Sequence, residues 1–299
     1  MPARSEPSDR FPPAAREAIL AWYDAHGRPL AFRSNVDPYA VLVAETMAQQ
    51  TQIGRVVERW GAFLERFPTV DALGAAAPAD VLREWQGLGY NRRAINLWRA
   101  ARAIVADHGG RIPDSVSALE RLPGIGPYTA RAVAATAFGR PVGAVDTNVR
   151  RVVGRMAAVD EAPEIQHLAD AIVPPERAAD WTHAMMDVGA TFCRPRRPAC
   201  AGCPVRSWCR FAASPTADTI VSRGRPRRPE PAFPSTSRWL RGRIVERLRG
   251  HPGGSWAIFD QAIGDHAVEA VAVALAGLAR DGLVELDPID PTRARLPLA

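Results

Sequence analysis

The chain has 299 residues, 47% of them hydrophobic and 23% charged, with a net charge of +6; that is enough apolar material for two domains with real cores, and a basic balance that favours a polyanionic partner. No apolar run approaches a membrane span, and the opening MPARSEPSDR lacks the apolar core of a secretory signal, so neither a membrane protein nor a secreted one is expected. All 38 basic residues are arginine, which excludes a mechanism that needs a lysine amine to form a Schiff base.

Taken in order, the elements are almost all helical. Residues 13–25 carry apolar residues at helical spacing behind a proline, and 38–65 hold two further helices. Shorter helical segments follow at 71–75, 78–86, 91–108, 115–121, 127–138, 146–158 and 164–172, separated by Gly, Pro or Asp. Residues 214–236 are rich in Pro, Ser and Arg and read as a linker. Beyond it, 238–250 and 266–280 are helical, and an Asp-Gly turn leads into the apolar run LVEL. The segment 237–299 is read either as a small winged-helix-like module or as a plain helical appendage.

Three motifs carry chemistry. Residues 122–131, LPGIGPYTAR, place Gly124 and Gly126 between two helices. Such a turn leaves backbone N–H groups uncovered at a helix N-terminus, where they can hold a phosphate; it is the arrangement of a helix–hairpin–helix, which grips DNA backbone without reading sequence. Asp146, in GAVDTNVRRVVGR, stands where a helix N-cap is expected, and capping alone would explain it. A carboxylate so placed also stays ionised, which suits the stabilisation of a sugar cation. The cysteines Cys193, Cys200, Cys203 and Cys209 have the spacing C-x6-C-x2-C-x5-C. Thiolates this close in sequence point to a metal centre rather than to a disulfide framework. The uneven spacing favours a [4Fe–4S] cluster, with zinc as the rival because Cys200 and Cys203 form one close pair.

In their order and spacing, LPGIGPYTA, VDTNVRRV and the cysteine loop resemble the helix–hairpin–helix DNA glycosylases that carry an iron–sulfur cluster, over roughly residues 15–212. PYAVLVAETMAQQTQI at 38–53 is similar to the acid-bearing helix of the MutY-type adenine glycosylases. The resemblance implies an all-α, two-lobed fold: 13–37 with 140–213 forms one helical lobe holding the cluster loop 193–209, and 38–139 forms a helical barrel containing the hairpin 119–135. A disordered N-terminus (1–12), the linker (214–236) and the module 237–299 complete the chain. It further implies a monofunctional base excision enzyme, a [4Fe–4S] cofactor and double-stranded DNA with a mispaired or damaged base as partner. A monomer in the cytoplasm, associated with the nucleoid, is expected.

By the same resemblance Glu45 protonates the departing adenine, a role suited to a carboxyl whose pKa is raised among apolar neighbours, although in isolation it reads as a solvated residue or a partner of Arg33. Asp146 stabilises the oxocarbenium ion, Tyr128 and Asn148 hydrogen-bond around it, and Arg33 orders the acid. Tyr128 stands where the bifunctional endonuclease III branch carries a lysine. Gln50, Thr51, Tyr90, Leu122, Gly124, Gly126 and Thr129 match DNA-contacting positions, Gln50 and Tyr90 as fillers or wedges of the duplex. The chain departs from the family pattern at Ala48 (usually leucine), Asn91 (a second tyrosine), Thr147 (glycine), 31–33 (AFR for a proline–tryptophan pair before the arginine) and His183 (glutamine or glutamate), where a structural histidine is expected. Residues 237–299 are too short for the usual domain that checks for 8-oxoguanine. Thymine or uracil mismatch removal, modified-purine removal and non-catalytic DNA binding are the competing readings; retention of both Glu45 and Asp146 argues against the last.

Overall fold

The computed structural model describes residues 10–214, 232–251 and 254–298. Most of the expected disordered N-terminus (1–9) and of the expected linker (215–231) lies outside the described residues. By packing, the chain divides into two compact units. The first comprises residues 1–45, 114–120 and 125–226; the second comprises 46–113, 121–124 and 227–299. The sequence-based division differs, cutting at 38, 140 and 237.

In the first unit, α1 (Pro13–His26), the start of α2 (Pro38–Ala48), α7 (Val116–Glu120), α8 (Pro127–Phe138), α9 (Thr147–Ala157), α10 (Ala162–Ala171), α11 (Ala178–Thr191) and the short α12 (Arg210–Ala213) gather round one core. Four of these helices supply apolar residues at helical spacing to it: Ile19 from α1, Val149, Val152, Val153 and Met156 from α9, Ile165 and Leu168 from α10, Trp181, Met185 and Val188 from α11. Phe11 meets Trp181 edge-on with centroids 5.9 Å apart. The hairpin helix α8 buries an alanine-rich face, Ala130 and Ala132 to Ala135, and packs on α11. Small side chains let the two backbones approach, which explains why α8 joins this unit.

In the second unit, α3 (Ile53–Arg66), α4 (Val70–Ala75), α5 (Pro78–Glu84) and α6 (Arg92–His108) enclose Phe63, Phe67 and Trp85, whose rings stack edge-on at 5.0 and 5.9 Å. The C-terminal residues belong here too. They form α13 (Ser237–Arg249), β1 (Ala257–Ile258), α14 (Val268–Arg280), β2 (Glu285–Leu286) and β3 (Arg293–Arg295). The sheet is antiparallel with order β1-β3-β2, pairing Ala257 with Ala294 and Leu286 with Ala294. The described part of 237–299 thus combines two helices with a three-stranded sheet and is not purely helical. The module is pinned to α5 and the loop after it. Arg249 donates to the Leu82 carbonyl at 2.8 Å and to Asn91 Oδ1 at 2.7 Å, and Gln86 donates to Glu246 at 2.7 Å.

Candidate active site

Glu45 sits on α2 between Ala44 and Thr46, 9% exposed, in the most apolar stretch of the chain. Burial pushes its carboxyl up to about 7, and the Asp146 charge adds to the rise; a hydrogen bond from Tyr128 and the Arg33 charge oppose it. Tyr128, on the first turn of α8, donates its hydroxyl to Glu45 Oε2 at 3.1 Å. Burial first, then the Glu45 and Asp146 charges, hold the Tyr128 phenol well above its ordinary range, so it remains a donor. Glu45 and Tyr128 are thus joined directly, with Asp146 close enough for its charge to act on both.

Asp146 is the N-cap of α9. Its Oδ1 accepts from the backbone N–H of Asn148 at 2.8 Å and Val149 at 2.7 Å, and its Oδ2 accepts from Asn148 Nδ2 at 3.0 Å. The cap that the sequence suggests is present, and it fixes the carboxylate. Asn148 is fixed in turn by Arg151, which donates to its Oδ1 at 2.8 Å and to the carbonyls of Gly189 (2.9 Å) and Cys193. A Cβ at Gly189 would lie 2.6 Å from that of Asn148, so glycine is required for α9 and α11 to meet there.

Arg33 is placed differently from expectation. It donates to Asp187 at 2.7 and 2.9 Å rather than to Glu45. Arg28 binds the same carboxylate from Nε at 2.8 Å and Nη2 at 2.5 Å. The two guanidinium groups hold the buried Asp187 carboxyl down at about 2 despite its desolvation. Arg33 therefore acts on Glu45 through its charge, from a position set by Asp187. Asp187 escaped the sequence reading; its signal was a lone carboxylate within the apolar helix WTHAMMDVGAT. His183, 5% exposed, is kept neutral by burial and the Arg33 charge, its pKa lowered to about 3, and it lies against the Tyr23 ring with centroids 6.5 Å apart.

The expected DNA-contacting residues divide between the units. In the second unit, Gln50 (φ 56°) and Tyr90 (φ 44°) have left-handed backbones, uncommon for side chains of this size and typical of functional loops. Arg93 locks both loops. It donates to the carbonyls of Thr46 and Met47 at 2.8 Å, of Leu88 and Gly89 at 3.0 and 3.1 Å, and to Thr51 Oγ1 at 2.8 Å. Thr51 also donates to Leu88 O at 3.2 Å, so its hydroxyl ties the protein together. Burial lowers the Arg93 pKa to about 10.

In the hairpin, Leu122 and Thr129 are buried. Gly124 (φ 78°) would place a Cβ 2.5 Å from that of Asn96, so glycine is needed twice over. Gly126 caps α8 without a side-chain hydrogen bond, and a Cβ there would project into open space. An anion approaching the start of α8 would meet no Cβ at Gly126.

The four cysteines line one cavity with Val152, Met156, Val188 and Phe192. Among the described residues, no group of three or more His, Cys, Asp or Glu forms a single-ion site. Arg155 reaches Cys193 Sγ at 3.4 Å and the Arg194 carbonyl at 2.8 Å, adding positive charge beside the thiols. Burial raises the Cys203 thiol to about 11. A dry, thiol-lined cavity with a cationic edge fits an anionic metal–sulfur cluster.

The class defined by this hairpin and its adjacent carboxylates is that of helix–hairpin–helix base excision repair proteins, and residues 43–175 match the HhH-GPD superfamily base excision DNA repair protein model. The chain is 42% identical over 241 residues, 77% of both chains, to the adenine DNA glycosylase of Mycobacterium tuberculosis H37Rv. It is 37% identical to the human adenine DNA glycosylase over 71% of this chain and 42% of that one. A thermostable thymine-DNA glycosylase superposes with a TM-score of 0.64 at 28% identity, covering 69% of this chain and 97% of that one; an endonuclease III–DNA complex superposes with 0.58 at 25%, covering 66% and 93%. The chain belongs to the HhH-GPD superfamily, in its MutY-type adenine DNA glycosylase family.

Proposed function

We propose that the protein is a monofunctional DNA glycosylase that releases adenine mispaired with 8-oxoguanine or guanine, leaving an abasic site. The observation that carries this reading is Glu45: a buried carboxyl held near pKa 7 and oriented by the Tyr128 hydroxyl, which is the condition for a general acid at neutral pH. Protonation at N7 needs a purine; thymine and uracil, whose N3 already carries a hydrogen, offer no basic ring nitrogen.

The target nucleotide leaves the stack, at a cost of a few kcal/mol. Glu45 gives its proton to adenine N7 as the N-glycosidic bond lengthens. Charge builds on the deoxyribose, and Asp146, fixed by Asn148 and two backbone N–H groups, stabilises the oxocarbenium ion or traps it transiently as an adduct. Water completes the displacement. The chain has no lysine to open the sugar by Schiff-base chemistry. Gly124, Gly126 and the start of α8 hold the DNA backbone. Cys193, Cys200, Cys203 and Cys209 would hold a [4Fe–4S] cluster, whose part is to support the fold and its DNA grip.

The test is base release from duplexes carrying A:8-oxoguanine, A:G, T:G, U:G and hypoxanthine:T, followed by alkali. Adenine release, absent in Glu45→Gln and Asp146→Asn, is the expected result. Release of T or U with adenine untouched would transfer the assignment to the mismatch glycosylases, in keeping with the thymine-DNA glycosylase likeness. Strand cleavage without alkali would refute the monofunctional reading.

A further inference from the structure

A groove of about 1120 Å³ opens within the second unit. One side is made by Gln50 and Tyr90 with their flanking loops; the other is made by Phe233, Trp239 and the α13 arginines Arg238, Arg241, Arg243 and Arg249. It exceeds the usual range for small-molecule pockets, and arginines outnumber the carboxylates Glu246 and Asp281 seven to two along its lining. Such a groove suits an extended polyanion rather than a compact ligand.

The arginines are not equivalent. Arg93 and Arg249 are consumed by internal hydrogen bonds, Arg241 and Arg92 face Asp281, and Arg55 binds the Gly87 carbonyl. Arg238 and Arg243 are exposed and rest on aromatic faces. The Arg238 guanidinium lies 5.0 Å from the Tyr90 ring and 4.9 Å from the Phe233 ring, and Arg243 lies 5.9 Å from Trp239. A guanidinium lying against a ring keeps N–H edges available, the presentation that a phosphate accepts. Arg238 also donates to the Tyr90 hydroxyl at 2.5 Å, so the C-terminal module holds the side chain expected to wedge the duplex.

We propose that this groove receives one sugar–phosphate strand of duplex DNA, with Arg238 and Arg243 as phosphate ligands and Tyr90, steadied by Arg238, as the stacking surface beside it. The C-terminal module is then part of the DNA-binding site. The proposal rests on the glycosylase reading and extends it to residues outside the helix–hairpin–helix.

The experiment is fluorescence anisotropy of the full chain with a duplex carrying a non-hydrolysable adenosine analogue opposite 8-oxoguanine, titrated at salt concentrations from about 50 to 200 mM. Arg238→Gln and Arg243→Gln should each flatten the salt dependence by about one unit of slope and weaken binding about 3- to 10-fold. Arg238→Lys and Arg243→Lys should restore most of the slope. Arg247→Gln, on the same helix but packed 4.8 Å from Phe259 and outside the groove, should bind as the parent does. A folded Arg238→Gln/Arg243→Gln double variant with parental affinity and slope overturns the proposal while leaving adenine release by the parent intact. A parent protein that binds no duplex overturns the glycosylase reading and the proposal together.

Discussion

Glu45→Gln should abolish base release and at the same time stabilise the protein, by an amount set by pH. The folded-state pKa of about 7 lies above the ordinary value of 4.5. Between these values the native state binds the proton more tightly than the unfolded chain does, so stability falls as pH rises through this window. At pH 4 both states hold the proton and the carboxyl contributes almost nothing. Above pH 7 the full penalty applies, about 3 kcal/mol for a shift of this size. Glutamine is nearly isosteric, keeps an oxygen for the Tyr128 hydroxyl, and never ionises. Urea unfolding of both proteins from pH 4.5 to 8.5 should therefore give curves that nearly coincide at the acid end and separate by about 2–3 kcal/mol at the alkaline end. Parallel curves across this range would refute a buried, high-pKa Glu45, and with it the acid role. The same titration predicts that base release by the parent falls as pH rises above about 7, because only the protonated acid acts.

Asp146→Asn retains a good N-cap, so melting should shift little while base release drops about 10²- to 10³-fold or more, read by single-turnover kinetics. Gly124→Ala should destabilise by about 1–3 kcal/mol, because φ is 78° and Asn96 occupies the space; Gly126→Ala should leave melting unchanged and weaken duplex binding, because its Cβ meets only open space. Arg93→Met should lower stability by about 2–4 kcal/mol by removing a shared donor from the carbonyls of Thr46, Met47, Leu88 and Gly89, and should open the loops bearing Gln50 and Tyr90 to limited proteolysis. Cys203→Ala should remove bound iron and its visible charge-transfer absorption and lower the melting temperature, whereas stoichiometric zinc in the parent would reject the cluster.

The parts legible in the sequence were those whose physics is local. Asp146 before an amphipathic run reads as a cap, and it is one. The Gly124–Gly126 turn reads as a tight hairpin, and the left-handed φ of Gly124 bears this out. Glu45 reads in isolation as a solvated residue or a partner of Arg33; only the resemblance of its helix to the MutY-type one pointed to a desolvated acid, and the carboxyl is buried. What stayed hidden depends on long-range pairing. Nothing near Arg33 in sequence reveals that Asp187 will share it with Arg28. Arg93 in GLGYNRRA carries no local sign that it will be buried and Arg92 exposed. The C-terminal strands, two or three residues each, are too short to show alternation and were visible only as a turn beside an apolar run.

The hydrogen bond from Arg249 to Asn91 has an evolutionary reading. Where the family has a second tyrosine, this chain has a small amide that accepts from the C-terminal helix. A tyrosine at position 91 would displace the Arg249 guanidinium, which also serves the Leu82 carbonyl. Position 91 and the tail helix are therefore expected to change together among relatives. Grafting a different C-terminal domain onto this chain would leave the Leu82 carbonyl and the Asn91 side chain without the Arg249 donor, so the loop would call for a compensating substitution.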